Sequence, residues 1–197
     1  MKKILLAACA LCLCTVGLVK AQNITTLTYS VGFATGNVKE YISSASFRGI
    51  SLEYNNMIQD NIGVGFQVGW NVFYDELPYD TYTLDQQSLS GKQWRYSNHI
   101  PLFATVNYFL KPGEKVNPFV GLGIGTIYTL RNTDMNLYTW EQDAWSFGLS
   151  PTIGAQVMAS DVTKFNISLR YNAGFAAGDF DEAQNYLSLN VGFAFGN

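Results

Sequence analysis

Cysteine and histidine are nearly missing from this sequence beyond its first fourteen residues. The three cysteines are Cys9, Cys12 and Cys14, and the one histidine is His99. The rest of the chain therefore has no thiol for a disulfide framework or a cysteine-based metal site. It also lacks a P-loop, a zinc-ligand spacing and a dinucleotide fingerprint, so neither a cofactor nor a metal is expected.

Charged residues are also scarce, at 14% of the chain against about a quarter in an average soluble domain. Three of the twelve basic residues, Lys2, Lys3 and Lys20, lie at the start, which leaves nine against fifteen acidic residues in the remainder. Nucleic-acid binding needs clustered lysine and arginine, so the acidic balance argues against that class of partner. A band of side chains facing lipid would account for the low charge.

Only one long apolar run is present, and it lies near the start of the chain. Lys2 and Lys3 precede the apolar stretch 4–19, and Ala21 is a small residue suited to cleavage before Gln22. This arrangement predicts a signal peptide over residues 1–21 and a mature domain over 22–197. No later stretch is apolar enough for a membrane-spanning helix, so any membrane insertion must be by a closed barrel.

A strict alternation of two residue classes marks the last segment of the chain. In 187–195 the odd positions carry bulky apolar residues and the even positions carry small or polar ones, none of them charged. A period of two predicts a β-strand with two different faces. A soluble sheet would carry charges on its wet face, so the uncharged small face predicts a barrel interior and the apolar face predicts contact with lipid.

The same alternation recurs in seven earlier segments. The eight predicted strands are 25–35, 47–54, 62–73, 99–109, 118–129, 145–157, 164–175 and 184–195. Most have roughly the 9–11 residues that a tilted strand needs to cross a bilayer. We therefore predict an all-β fold, an eight-stranded antiparallel up-and-down transmembrane barrel. The alternative fold is a soluble lipocalin-like barrel, whose outer face would need charges that are missing here.

The predicted connections alternate in length. Three are short and rich in turn residues, at 55–61, 110–117 and 158–163, whereas 36–46, 74–98, 130–144 and 176–183 are mostly longer. This asymmetry is typical of outer-membrane barrels, with turns in the periplasm and loops outside the cell. Several aromatic residues on the apolar face fall near strand ends, where they would form girdles at the lipid headgroups: Tyr29, Tyr54, Tyr108, Tyr128, Trp145 and Tyr171.

The mature chain resembles the small outer-membrane β-barrel family, whose OmpA-like and OmpX-like members have eight strands. The resemblance is carried by Lys111-Pro112-Gly113 leading into the glycine-alternating stretch 117–125, and by the last strand. There, Ser188, Phe193 and Phe195 match the family's assembly signal, although Asn190 stands where glycine is usual. The resemblance implies export through the periplasm to the outer membrane of a Gram-negative bacterium, recognition by the barrel-assembly machinery, and a monomer in contact with lipid and lipopolysaccharide.

Two charges fall well inside the predicted lumen strands, Glu53 and Arg170. Buried charges must be paired or hydrated, and both alternatives stay open because strands two and seven are not neighbours. The predicted polar network around them comprises Gln67, Asn71, Gln156, Asn166 and Asn190. The many glycines on the lumen face leave either a narrow wet cavity or room for inward aromatic rings, namely Phe47, Phe73, Phe103, Phe119 and Tyr186.

One pair of residues suggests catalysis. Ser97 and His99 would face the same way on a strand, and Asp75 or Glu76 across the hairpin would orient the imidazole, as in a serine hydrolase that modifies lipid A. The simpler interpretation is a polar histidine where a loop joins a strand, and we expect no enzyme.

The leading hypothesis is therefore a structural or surface-binding membrane protein that acts through long outer loops. A narrow porin-like channel is the alternative, and an acyl hydrolase ranks third. The loops are acidic, which suits either plain solvation or divalent cations that bridge to lipopolysaccharide phosphates. Their exposed tyrosine and tryptophan residues suit an adhesive surface.

Overall fold

Eight antiparallel strands form a closed barrel, as the alternation predicts. The computed structural model describes residues 23–84 and 87–196, so the predicted signal peptide, with Ala21 and Gln22, lies outside the described residues. The strands are β1 Asn23–Thr35, β2 Gly49–Gln59, β3 Ile62–Leu84, β4 Gln87–Phe109, β5 Val116–Met135, β6 Tyr138–Met158, β7 Thr163–Gly174 and β8 Gln184–Gly196. A short helix, α1 (Asn37–Tyr41), lies between β1 and β2.

Closure of the barrel depends on the pairing of its first and last strands. Each strand pairs with the next one along the chain, and β8 pairs with β1 over twelve positions, from Ile24–Gly196 to Thr35–Asn185. A closed ring leaves no unpaired strand edge in the hydrocarbon region, where nothing could satisfy the backbone groups.

The two faces of each strand are sorted as the sequence predicts. In β8 the side chains of Tyr186, Ser188 and Asn190 are buried inside the barrel, whereas those of Phe193 and Phe195 are about half exposed on the outside. The outer surface is covered in the same way by leucine, isoleucine, valine and aromatic side chains. This apolar exterior suits lipid, and it rules out the soluble lipocalin-like alternative.

The barrel has two different ends. The turn end carries the short connections 60–61, 110–115 and 159–162, and the hairpin end carries α1 and the remaining connections. Tyr128 packs against Trp145 on the outer surface towards the hairpin end, with ring centroids 5.0 Å apart. Tyr108 lies opposite Ile62 near the turn end. No helix in the described part of the chain is long and apolar enough to cross a membrane.

Two of the predicted outer loops are wrong, because those segments are strands. β3 and β4 continue to the pair Leu84–Gln87, and β5 and β6 continue to Met135–Tyr138. Pairing of β4 with β5 also continues, up to Gln93–Met135. The four strands therefore rise beyond the barrel as one sheet, which we call the outer sheet. Towards the tips of this sheet both faces meet water, so the alternation of apolar and polar residues that marks the other strands is lost there. Lower down, Gln93 and Met135 are buried on one face.

Strand β2 also differs from its prediction. It continues for five residues beyond Tyr54, to Gln59, with Asn55 and Asn56 paired to β3, and the turn itself is Asp60–Asn61. Asn55 is buried and its side chain bonds within the lumen, which explains why a turn-forming residue is stable in this strand. Phe47, predicted to point inward, is 66% exposed.

The β1–β2 connection folds over the hairpin end. Val38 of α1 is fully buried, and Ile42, just after the helix, packs with Phe73 and Tyr186 inside the barrel. Gly36, before the helix, has a φ of 53°, which favours glycine because it has no Cβ. The connection therefore closes the barrel end from above instead of extending into solvent.

Candidate functional site: the barrel interior and the outer sheet

Glu53 and Arg170 form a salt bridge across the lumen. Arg170 Nη2 on β7 lies 2.5 Å from Glu53 Oε2 on β2, and both side chains are largely buried, at 7% and 12% exposure. Arg170 Nε also donates to Thr152 Oγ1 at 3.1 Å. Of the two alternatives that the sequence leaves open, the structure has the paired one.

The other partners of this salt bridge are not the predicted amides. Glu53 Oε1 accepts hydrogen bonds from Asn55 Nδ2 at 2.9 Å and from Asn107 Nδ2 at 2.8 Å. Asn107 Nδ2 also donates to Asn55 Oδ1 at 2.8 Å. Asn107 could have been predicted to face the lumen, because it lies two residues from the inward-facing Phe109 and residues two apart on a strand share a face.

The predicted network residues are all buried but lie apart from one another. Gln156 and Asn166 are directly opposite on β6 and β7, and with Arg170 they line one cavity. Asn71 Nδ2 donates to the Tyr186 hydroxyl at 3.4 Å, and Gln67 lies opposite Glu53 on β3. Asn190 accepts from Ser30 and donates to Ser188, at 2.5 and 3.3 Å. They form several small clusters instead of one shell around the bridge.

The lumen is filled by side chains above and below the salt bridge. Towards the turn end, Phe109 and Phe119 pack with ring centroids 5.5 Å apart, together with Ile24, Met57 and Ala194. The cavity between this apolar floor and the salt bridge has a volume of about 10 Å³, which is about the room needed for one water molecule. The narrow wet cavity, one of the two alternatives that the sequence leaves open, is therefore reduced to this small pocket at this level.

An aromatic layer fills the lumen on the other side. Phe73, His99 and Tyr186 pack together, with centroid distances of 5.4, 5.6 and 5.0 Å. All three are fully buried, and Phe103 is nearly so. The inward prediction is confirmed for Phe73, Phe103, Phe119 and Tyr186.

His99 has hydroxyl neighbours but no carboxylate. Its Nε2 lies 2.9 Å from Ser97 Oγ and its Nδ1 lies 3.2 Å from Thr129 Oγ1. Asp75 instead accepts hydrogen bonds from Ser43, and Glu76 pairs with Lys92. The expectation that either acid orients the imidazole is wrong, since Glu76 faces outward and Asp75 is engaged by the β1–β2 connection. Ser97 and His99 are both fully buried, so no substrate reaches them in this conformation.

Two arginines lie at the hairpin end of the lumen, the barrel mouth. The guanidinium carbons of Arg95 and Arg131 are 5.0 and 4.6 Å from the Tyr41 ring centroid. Arg95 Nε donates to Gln93 Oε1 at 2.9 Å, and Arg131 Nη2 donates to Gln184 Oε1 at 2.5 Å. We call these five residues the mouth cluster. The sequence prediction placed both arginines in outer loops and did not bring them together.

The outer sheet exposes aromatic and apolar side chains at its tips. Tyr79 is 75% exposed, and Leu137 and Tyr138 at the β5–β6 turn are 98% and 69% exposed. Lower on the outward face, Glu76 pairs with Lys92. The hydrogen bond from Lys92 lowers the pKa of Glu76, and the same contact raises the pKa of Lys92.

The fold and its apolar exterior define a transmembrane β-barrel of the outer membrane. The chain belongs to the family described as the outer membrane protein beta-barrel domain, which matches residues 5–195. Its location is therefore the outer membrane of a Gram-negative bacterium, with the turn end towards the periplasm and the hairpin end outside. No curated protein sequence matches the chain significantly.

Solved structures with the same fold have diverged far in sequence. The attachment invasion locus protein Ail of Yersinia pestis, in complex with the heparin analogue sucrose octasulfate, has a TM-score of 0.55 at 13% identity, covering 90% of this chain and 100% of its own. The outer membrane protein OprG of Pseudomonas aeruginosa has the same TM-score and identity, covering 90% and 96%. The outer membrane protease OmpT of Escherichia coli has a TM-score of 0.52 at 8% identity, covering 90% and 97%. At these identities the likeness concerns the fold alone.

Proposed function

We propose that this protein is a non-enzymatic barrel that binds surface partners through its outer sheet. The observation that carries the proposal is the contrast between the lumen of the barrel and the outer sheet. The lumen is filled by the Glu53–Arg170 bridge between two aromatic layers, whereas the sheet outside presents Tyr79, Leu137 and Tyr138 to solvent. Exposed aromatic side chains supply contact area at a low entropic cost, which suits binding.

The free edge of the outer sheet favours binding through side chains and not through an added strand. β2 begins at Gly49, opposite Asn71, so β3 has no β2 partner beyond this point. Along that edge the N–H groups of Glu76 and Thr81 donate to the carboxylates of Asp75 and Asp80, at 3.0 and 2.7 Å. Pro78 has no N–H. N–H groups that are already hydrogen-bonded, a proline and negatively charged side chains all hinder the pairing of a strand edge with a strand from another protein.

A second candidate is the narrow channel, favoured by the polar lining of the lumen. Gln67, Gln156 and Asn166 each have a buried carbonyl oxygen without a partner in the protein, and such groups suit water. The aromatic layers and the small cavity count against continuous passage. An acyl hydrolase is a weaker candidate still, since Ser97 and His99 lack both a carboxylate and access.

Lipopolysaccharide and the barrel-assembly machinery are proposed partners of the membrane part. Arg48 lies outside, over the Tyr74 ring at 5.5 Å, at the rim where lipid phosphates would be. Phe193 and Phe195 lie on the outward face of β8, and Ser188 is buried in the lumen. The two phenylalanines are thus accessible to a factor that acts from the lipid side, as an assembly signal requires.

The experiment that tests surface binding shortens the tallest hairpin. Leu77 and Gln93 are paired across β3 and β4, so residues 78–92 are replaced by Asn-Gly, the two residues that best close a hairpin. The wild type and the variant are displayed on a bacterium without adhesins, and attachment to cultured animal cells is counted. We expect the wild type to attach and the variant to lose attachment while remaining folded.

A matched control changes the other end of the barrel. Lys111→Ala in the periplasmic turn removes the exposed Lys111–Glu114 pair and should leave attachment intact. Wild-type attachment by the shortened variant, or no attachment by the wild type, would contradict the proposal.

A further inference from the structure

The mouth cluster carries two positive charges, and neither of them forms a salt bridge. Within the described residues, the salt bridges join Lys92 to Glu76, Lys111 to Glu114 and Arg170 to Glu53. Arg95 and Arg131 take part in none of them. Both guanidiniums contact the same Tyr41 ring, so the groups in direct contact with these two charges are an aromatic face and neutral hydrogen-bond acceptors.

Some N–H donors of the mouth cluster have no hydrogen-bond acceptor in the protein. Arg95 donates to the Gln93 side-chain oxygen and to the Tyr41 carbonyl at 3.0 Å, and Arg131 donates to the Gln184 side-chain oxygen. Because Arg95 fixes the Gln93 oxygen towards itself, the Gln93 amide nitrogen is oriented away from it. That nitrogen and Arg131 Nε are both buried with no acceptor in the protein.

This pattern differs from the rest of the barrel interior. Elsewhere in the described residues, the buried side-chain atoms without partners are oxygens, such as those of Gln67, Asn71, Gln156 and Asn166. The two nitrogens are both at the mouth. A buried donor without an acceptor loses its hydrogen bonds to water with nothing in return, and the loss is greater when the donor is charged. The missing group at this place is therefore an acceptor, and the adjacent positive charges favour a negative one.

The electrostatics of Arg131 point the same way. Burial lowers the pKa of its guanidinium, and the charge of Arg95 lowers it further, while Tyr41 and Glu182 act in the opposite direction. A bound anion would raise the pKa of Arg131 again, because it would stabilise the charged guanidinium against the effects of burial and of Arg95. A planar guanidinium presents paired N–H groups that match the oxygens of a carboxylate, sulfate or phosphate.

We propose that Arg95, Arg131 and Gln93 form a site at the barrel mouth for a single oxyanion group, a carboxylate, sulfate or phosphate that enters from outside the cell. The surrounding outer sheet is acidic, with Asp134, Glu141 and Asp143 on its strands. A polyanion would be repelled there, so the site suits one small anionic group, either free or at the end of a larger neutral molecule. The site does not depend on binding by the exposed tips of the outer sheet.

The test titrates the full protein, refolded in zwitterionic detergent, with inorganic sulfate at constant ionic strength. Side-chain Nε–H signals of the arginines are followed by NMR, and thermal unfolding is followed in parallel. We expect saturable shifts of the Arg95 and Arg131 signals and a rise in midpoint temperature, with the signal of Arg170, which is paired with Glu53 inside the lumen, unchanged. A ligand that binds only the folded state raises stability with its concentration.

Variants show whether the effect comes from the mouth. Arg131→Gln and Arg95→Gln should lose the sulfate-dependent rise, and the control Lys111→Gln, in the exposed turn at the opposite end of the barrel, should keep it. Glucose 6-sulfate distinguishes the source of the group: shifts with this ester and not with free sulfate assign the site to the end of a larger molecule. Wild-type signals that respond to neither probe, or an equal response in all the variants, would overturn the proposal, and the wild-type titration decides it even where a variant fails to fold.

Discussion

Arg170 reaches across the lumen from β7 to bond Glu53 on β2, and the two strands are separated around the barrel wall by β8 and β1. The bridge thus ties opposite walls of the barrel together. Its oxygen atoms and N–H groups are further engaged by Asn55, Asn107 and Thr152. It is a structural crosslink inside a filled barrel.

Removing one member of this pair should destabilise the barrel strongly. Glu53→Gln leaves the Arg170 charge buried without a counter-ion, and breaking a buried pair in this way costs about 3–5 kcal/mol. We expect a fall of this size in the free energy of unfolding, measured by urea titration of the protein in lipid vesicles with tryptophan fluorescence. The double variant Glu53→Gln with Arg170→Met should recover part of the loss.

The matched control for this prediction is an exposed pair. Glu114→Gln breaks the Lys111–Glu114 contact, whose side chains are more than half exposed, and exposed pairs contribute little. Equal losses for Glu53→Gln and Glu114→Gln would show that the bridge in the lumen is a minor contact.

The membrane part of this fold was predictable from sequence because lipid imposes the pattern. A strand between lipid and a packed lumen must alternate, and β8 does so over its whole length. Towards its tips the outer sheet has water on both faces, so β3 loses the alternation there and the strands of the sheet were predicted to be loops. Backbone pairing such as Thr81–Ser90 and Thr83–Ser88 needs no alternation, so the sequence carried no signal for it.

The site residues were only partly predictable, for a related reason. Glu53 and Arg170 were evident as isolated charges on lumen faces. Their pairing depends on how the eight strands are staggered around the ring, which no local pattern encodes. The mouth cluster was missed because Tyr41, Arg95 and Arg131 come from three different segments that meet only after the barrel closes and α1 folds over it.

The filled lumen should not conduct ions. Phe109 and Phe119 close it towards the periplasm, and Phe73 and Tyr186 close it towards the outside. In planar-bilayer recordings the wild type should give no discrete steps, provided that heat-modifiable gel mobility shows a folded barrel. Reproducible steps from the wild type, with altered size in Glu53→Ala or Arg170→Ala, would instead support the channel.

His99 should be dispensable for any chemistry on lipid A. Its ring is packed between Phe73 and Tyr186, and its two nitrogens lie within hydrogen-bond distance of the Ser97 and Thr129 hydroxyl groups. His99→Ala and Ser97→Ala should leave the lipid A mass spectrum of the host bacterium identical to that made with the wild type. His99→Ala should also lower the thermal midpoint, because it removes a buried ring. A change in lipid A that requires both residues would instead support the acyl hydrolase hypothesis.

The closing seam should be sensitive to a single added methyl group at Gly192. This residue lies on the inward face of β8, opposite Thr28 of β1 and Asn166 of β7. A Cβ atom there would overlap the carbonyl oxygen of Leu27 and come within 2.7 Å of the Thr28 Cα, and both are backbone atoms that cannot turn aside. Gly192→Ala must therefore push β1 and β8 apart, with a loss of about 1–3 kcal/mol from overpacking. We expect a smaller heat-modifiable fraction after refolding and less protein in the outer membrane.

Gly63→Ala is the matched control, because the nearest atom to its Cβ is the Met57 sulfur at 3.1 Å, and a methionine side chain adapts easily. Equal folding yields for the two variants would mean that the β1–β8 seam tolerates separation, so that closure does not depend on this close approach.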